Sequence, residues 1–160
     1  MANKKSPRII GKVSTPYPVN QGLVTAYESI ALATTNLNLN DVIQMFVLPA
    51  GCVPVAFTIG VTDMDTNASP LLTVNLGLLN AAETAISTAA ADGGAAWLTN
   101  LVAGTTAAIT LSSSTKAIYD ILKSVTATTT DRTVAVVVSA AAATAAAGTL
   151  TVEMSYKVTN

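Results

Sequence analysis

The chain has no histidine and only one cysteine, Cys52, among its 160 residues. Without an imidazole there is no Ser-His-Asp or Cys-His catalysis, no histidine-ligated metal and no histidine pH switch. A single thiol permits no internal disulfide and cannot build a structural zinc site. Cys52 follows a turn and opens an expected strand, so it reads as a buried, unreactive thiol. Charge is also scarce. Asp, Glu, Lys and Arg make up 11% of the chain, against roughly 25% in ordinary soluble domains. The net charge is −1, so no long-range field points to nucleic acid. Gly93-Gly94 lacks the lysine and the spacing of a phosphate-binding loop. The N-terminus, MANKKSPRIIGK, is basic but has no apolar stretch of the kind a signal peptide needs. With neither leader nor disulfide framework, folding in a reducing cytoplasm is expected.

Alanine and threonine, by contrast, supply 52 of the 160 residues. Much of the surface must then be Thr, Ser, Asn and Ala, and a surface so poor in charge resists self-association weakly. Covering by copies of itself or by a partner is the simplest consequence; a Thr/Ser-coated secreted β-protein is the alternative. The length suits one domain with a core large enough to fold without cross-links. Three charge-free runs, residues 42–62, 93–115 and 133–152, invite a membrane reading. The third is long enough to cross ~30 Å as a helix. Its β-branched ends, its lack of aromatic anchors and Gly148 favour two strands joined by an alanine-rich loop.

Residues 41–79 organise the rest. Val53, Val55, Phe57, Ile59 and Val61 fall on alternate positions, as do Leu72, Val74, Leu76 and Leu78, so each set shares one strand face. Residues 41–48 are apolar on both faces, as in a strand covered on both sides. A sheet with one oily face must bury it against a second layer. Residues 23–32 add a strand with Val24, Ala26, Ile30 and Leu32 inward and Tyr27 outward. Glu28 would also point inward, a conflict that a bulge or an edge position would remove. Strands are expected at 97–102 and 107–111, around Gly104. Residues 80–91 read as a strand and turn or as one short helix. Residues 115–123 have helical spacing at Ala117, Ile118, Ile121 and Leu122, with a strand as the alternative. Residues 131–139 and 148–158 form the best hairpin candidate. The fold class is all-β: an antiparallel β-sandwich, jelly-roll-like, of eight or nine strands.

Residues 1–21 read as an extended N-terminal arm ahead of a single sandwich domain at 22–160. They hold Pro7, Pro16 and Pro18, four of the eight basic residues and no acid, and proline favours extended backbone. Lys4, Lys5, Arg8 and Lys12, with Ile9 and Ile10 as an apolar plug, are the candidate contacts to a shell or a neighbouring subunit; a frayed terminus is the alternative. Trp97, the only tryptophan, is either a core anchor or an interface anchor. Asp63, Asp65 and Asn67 match positions 1, 3 and 5 of a calcium loop, but Ala68 and Val74 stand where Gly and Glu belong. A side-chain-stabilised turn explains the same residues. Hydrolysis by Asp63 and Asp65 alone is the poorest reading, because both sit in that turn rather than in a cleft.

The segment LNLNDVIQMFVLPAGCVPVAFTIGVTDMDTNASPLLTVNLGLLN resembles one found in small tailed-phage virion proteins. The shared pattern runs from an aspartate before an apolar strand, through "LPAG", an alternating strand and "D-x-D-T", to a strand ending in "x-x-G-x-L". DGGAAWLTNL (residues 92–101) and DRTVAVVVSAAAATAAAGTLTVEMSY (residues 131–156) are similar to the downstream part, so the resemblance covers most of residues 23–157. Cys52 and Gln44 stand where a small and a charged or polar residue would be expected. The resemblance implies a capsid decoration (cement) protein, a β-sandwich or jelly-roll trimer on the outer capsid surface, assembled in the host cytoplasm. The implied partners are the major capsid protein and further copies of the chain as a homotrimer, with no nucleic acid, membrane, cofactor, metal or catalysis. A head-fibre or tail-associated module that recognises a host surface or glycan is the alternative.

Overall fold

The computed structural model describes residues 1–11, 13–18, 22–104, 109–112 and 116–159, with backbone alone for 109–112 and 116–118. Among the described residues nine strands and one α-helix follow in chain order: β1 (Asn3–Lys5), β2 (Leu23–Leu32), β3 (Val42–Leu48), β4 (Cys52–Val61), β5 (Thr73–Leu78), β6 (Leu98–Val102), β7 (Ile109–Ser112), α1 (Lys116–Ser124), β8 (Arg132–Ala140) and β9 (Gly148–Val158). They form two sheets, ordered β1-β3-β8-β5-β6 and β2-β9-β4-β7. The antiparallel pairs β2/β9, β3/β8, β4/β7 and β5/β6 are nested, the outermost strands pairing with each other and the innermost likewise. One long hairpin, rolled up so that successive strands fall alternately in the two sheets, has this pattern. It is a jelly roll.

The rolling overturns the expected hairpin. The strands at 131–139 and 148–158 exist as β8 and β9, but they lie in different sheets. Each is flanked by strands far away in sequence, β8 by β3 and β5, and β9 by β2 and β4. An alanine-rich connection can cross between layers as readily as it can turn, so local pattern does not choose. The segment at 80–91 is neither helix nor full strand. An isolated bridge joins Leu79 to Ile86, and a 3-10 turn follows at Ala90–Asp92. The helix expected at 115–123 is α1, Lys116–Ser124; Thr115 lies outside the described residues. Of the strand expected at 107–111, Ala107 and Ala108 lie outside the described residues.

One alternation slips. Val55 is 37% exposed, although its spacing from Val53 and Phe57 put it inward. The ladder shifts between Pro54 and Ala56, so Val55 is the extra residue of a β-bulge. Pro54 has no N–H to give a ladder, and bulges are where a sheet admits proline.

The core between the sheets contains Phe46, Ile59, Leu76, Leu150, Met154 and Tyr156, all fully buried. The outer face of β3 and β8 is covered as well: Val42, Ala135 and Val137 pack under Leu79 and Ile86. This covering explains why β3 is apolar on both sides. Gly77 permits the close approach, because a Cβ there would stand 2.9 Å from the Ile86 methyl.

Candidate functional site

The N-terminal residues lie along the edge of the sandwich within the single chain. β1 runs parallel to β3, Asn3 opposite Val42 and Lys5 opposite Gln44. Buried Ser6 donates its N–H to the Gln44 carbonyl and its hydroxyl to the carbonyl of Met45, the residue that a bulge in β3 leaves unpaired. Arg8 Nε lies 3.2 Å from Glu28 Oε2, and the two side chains are only 12% and 8% exposed. Arg8 also donates to the carbonyls of Tyr27 and Ser14. This ion pair, together with the edge position of β2, lets Glu28 point inward. Lys5 Nζ stands 3.6 Å from Glu83 on the surface. Lys4 and Ile9 are half-buried and Ile10 is exposed; Lys12 lies outside the described residues. Further on, the Tyr156 hydroxyl donates to the Pro16 carbonyl at 2.5 Å. Burial pushes that phenol up to about 12, with Cys52 adding to the shift and Arg8 opposing it.

Asp65 is the most heavily engaged acid of the turn at 63–69. It is 1% exposed. Its Oδ2 accepts N–H from Leu71 (2.8 Å), Leu72 (3.1 Å) and Ala143 (2.9 Å), and its Oδ1 from Thr144 (2.8 Å) and Asn67 (3.3 Å). Burial alone would raise its pKa, but the donors from Thr144, Ala143, Leu71 and Leu72 outweigh it and hold the carboxyl far below the usual carboxylate range. With both oxygens taken up by N–H donors, this carboxylate has no free lone pair for a cation and no proton to give. Asp63 accepts the Asp65 N–H at 3.2 Å, a turn contact. The structure supports the turn reading of this segment, not the calcium loop or the acid pair.

Arg132 is a second buried tie, one that sequence reasoning missed. Its Nη1 donates to Asp92 Oδ1 (2.9 Å) and the Ala91 carbonyl (3.1 Å), and its Nη2 to the Cys52 carbonyl (3.2 Å). Ser87 donates to the other Asp92 oxygen at 2.6 Å. The clamp fixes the 79–96 covering segment to the start of β8. Trp97, beside it, is a core residue: it is 1% exposed, donates to the Asp92 carbonyl and stacks on Phe57 with centroids 6.3 Å apart. It therefore has no area to offer a partner. Cys52 is buried, and burial first, then Asp131, pushes its thiol up against the opposing pull of Arg132.

The two outer faces of the sandwich differ. One carries the 79–96 segment. The other, on β2 and β9, shows a row of hydroxyl pairs, Thr25 with Ser155 (2.8 Å) and Ser29 with Thr151 (3.1 Å). Among the described residues no cluster of three or more acids or cysteines is placed to hold a metal. No helix among them is long and apolar enough to cross a membrane.

The fold defines the class, a jelly-roll β-sandwich with one added parallel edge strand. No family model and no curated protein matches the sequence. Among solved structures, the chain is similar to a chain in the capsid of Ralstonia phage GP4, with TM-score 0.75 and 24% identity over 99% of each. It is also similar to a chain in the capsid asymmetric unit of cyanophage Pam1, with TM-score 0.58 and 24% identity over 92% of this chain and 93% of that one. At this identity the likeness establishes a shared fold.

Proposed function

We propose that this chain is a structural virion protein, a capsid decoration (cement) protein that sits on the outer surface of a phage shell as a homotrimer and fastens it. The observation that carries the reading is the end-to-end correspondence with a chain found in a phage capsid, covering 99% of both chains. The charge-poor surface and the engaged state of Asp65 agree with mechanical rather than chemical work. A trimer bridging neighbouring capsid subunits makes their separation require several contacts to break together, and linked weak contacts give high avidity. Lys5 and Ile10, exposed on the N-terminal segment, with half-buried Lys4 between β1 neighbours, are the proposed contacts to the shell or a neighbouring subunit.

The test is to add purified protein to phage shells that lack it. Expected results are saturable occupancy, a raised shell melting temperature and a trimeric mass in solution. Deleting residues 1–21 should lower occupancy while the sandwich stays folded. A stable monomer that ignores the shells would overturn the reading.

A further inference from the structure

Where α1 meets the start of β4 the surface opens into a groove of about 470 Å³. That size lies in the range of sites that enclose a ligand or a few side chains of a partner, roughly 300–1,000 Å³. Its floor is apolar: Val53 and Val55 from β4, and Tyr119 and Leu122 from α1. Val55 is there because of the bulge. Regular alternation would turn it into the core, and the extra residue re-aims it outward. Tyr119 leaves 55% of its surface exposed. Lys123 and Lys157 line the same groove, and among the described residues no carboxylate lines it. In a chain of eight basic and nine acidic residues, that is a local excess of positive charge over an oily floor. Leu23 faces Lys157 across the β2/β9 ladder and is also exposed, which sets one further apolar side chain beside the groove.

We infer that this groove docks an apolar protein segment bearing a carboxylate, and that in the setting proposed above the segment belongs to the shell. The second clause rests on that reading; the first does not. The apolar floor would supply contact area, and the two lysines would select an acidic segment by complementarity and set its salt dependence. Bare apolar grooves attract unselectively, and the paired cations supply the discrimination.

The test has two arms, each using the full chain. In the first, the peptide acetyl-Leu-Glu-Leu-Leu-amide and its Gln counterpart are titrated into the protein and amide shifts are followed by NMR. The Glu peptide should perturb residues lining the groove, with the Gln peptide weaker by about tenfold. V55E and the double variant K123E/K157E should each lose the response; all three positions are at the surface, and circular dichroism checks that the fold is kept. Perturbation elsewhere, equal binding of both peptides or undiminished binding to the variants would overturn the groove. In the second arm, shell occupancy is compared at two salt concentrations. Wild-type occupancy that falls as salt rises, and occupancy about tenfold lower in both variants, support the shell as partner. Undiminished occupancy, or a drop in the protein's own solution mass in the variants, would overturn that assignment, the latter in favour of a second copy. If wild-type protein fails to bind shells at all, the proposed function fails while the peptide arm still decides the groove.

Discussion

The Asp65 carboxylate joins two connections by itself: the turn that leads into β5 and the alanine-rich crossing between β8 and β9. Asn at this position keeps the volume but turns an NH₂ toward N–H donors, leaving at least two of them unpaired. The expected loss for Asp65→Asn is about 2–4 kcal/mol, read by denaturant unfolding at pH 7. Because the folded pKa is depressed, the carboxylate's contribution is fully present above its unfolded value of about 3.9 and shrinks as pH falls below it. The gap between wild type and Asp65→Asn should therefore narrow between about pH 4 and pH 2. Cys52 gives a second expectation at this scale. Its buried, upward-shifted thiol should react with a disulfide reagent no faster than the protein unfolds, and rapid labelling of native protein would contradict the placement.

Among elements, the join between the N-terminal segment and β2 is the most testable. Glu28 stands on the inward face of an edge strand, and its charge is matched by Arg8. Removing one member of a buried ion pair leaves the other uncompensated, which costs about 3–5 kcal/mol, whereas replacing both with apolar groups is often near neutral. Arg8→Met alone should accordingly destabilise more than Arg8→Met/Glu28→Leu, as thermal unfolding of both variants would show. The order of effects matters more than their size. If the double variant is the worse of the two, the pair supports the fold by more than charge matching.

For the whole molecule, nested pairing makes the last strand indispensable. β9 lies between β2 and β4, and its contacts reach back 130 residues, from Ser155 to Thr25. A chain ending at Ala147 leaves β2 without a ladder and exposes the apolar faces of Phe57 and Ile59. It should show no cooperative unfolding transition. Deleting residues 1–11 removes an edge strand together with Arg8, the partner of buried Glu28, and should leave a cooperative transition at a clearly lower temperature. Closure of such distant pairs also predicts folding on the slow side, milliseconds to seconds, for a sheet protein of high contact order.

Local pattern made most strands legible. Alternation located β2, β4, β5 and β9, and the two-sided apolar run of β3 correctly implied cover on both faces. The covering segment itself was not legible, because residues 79–91 pack only Leu79 and Ile86 against β3 and β8 and otherwise look like a polar loop. Val55 was misread because a bulge changes which face a residue meets without changing its neighbours in sequence. Arg132 carried no signal, since its partners Asp92 and Cys52 lie 40 and 80 residues away. The groove was hidden for the same reason: its lysines and valines come from β4, α1 and β9. The order of residues alone determined that strands dominate this chain and that it holds no imidazole. Which strands are neighbours, which face is left bare and where two lysines meet an apolar floor were decided only by rolling the hairpin. Side-chain period is a local property, and layer assignment depends on contacts between residues far apart in the chain.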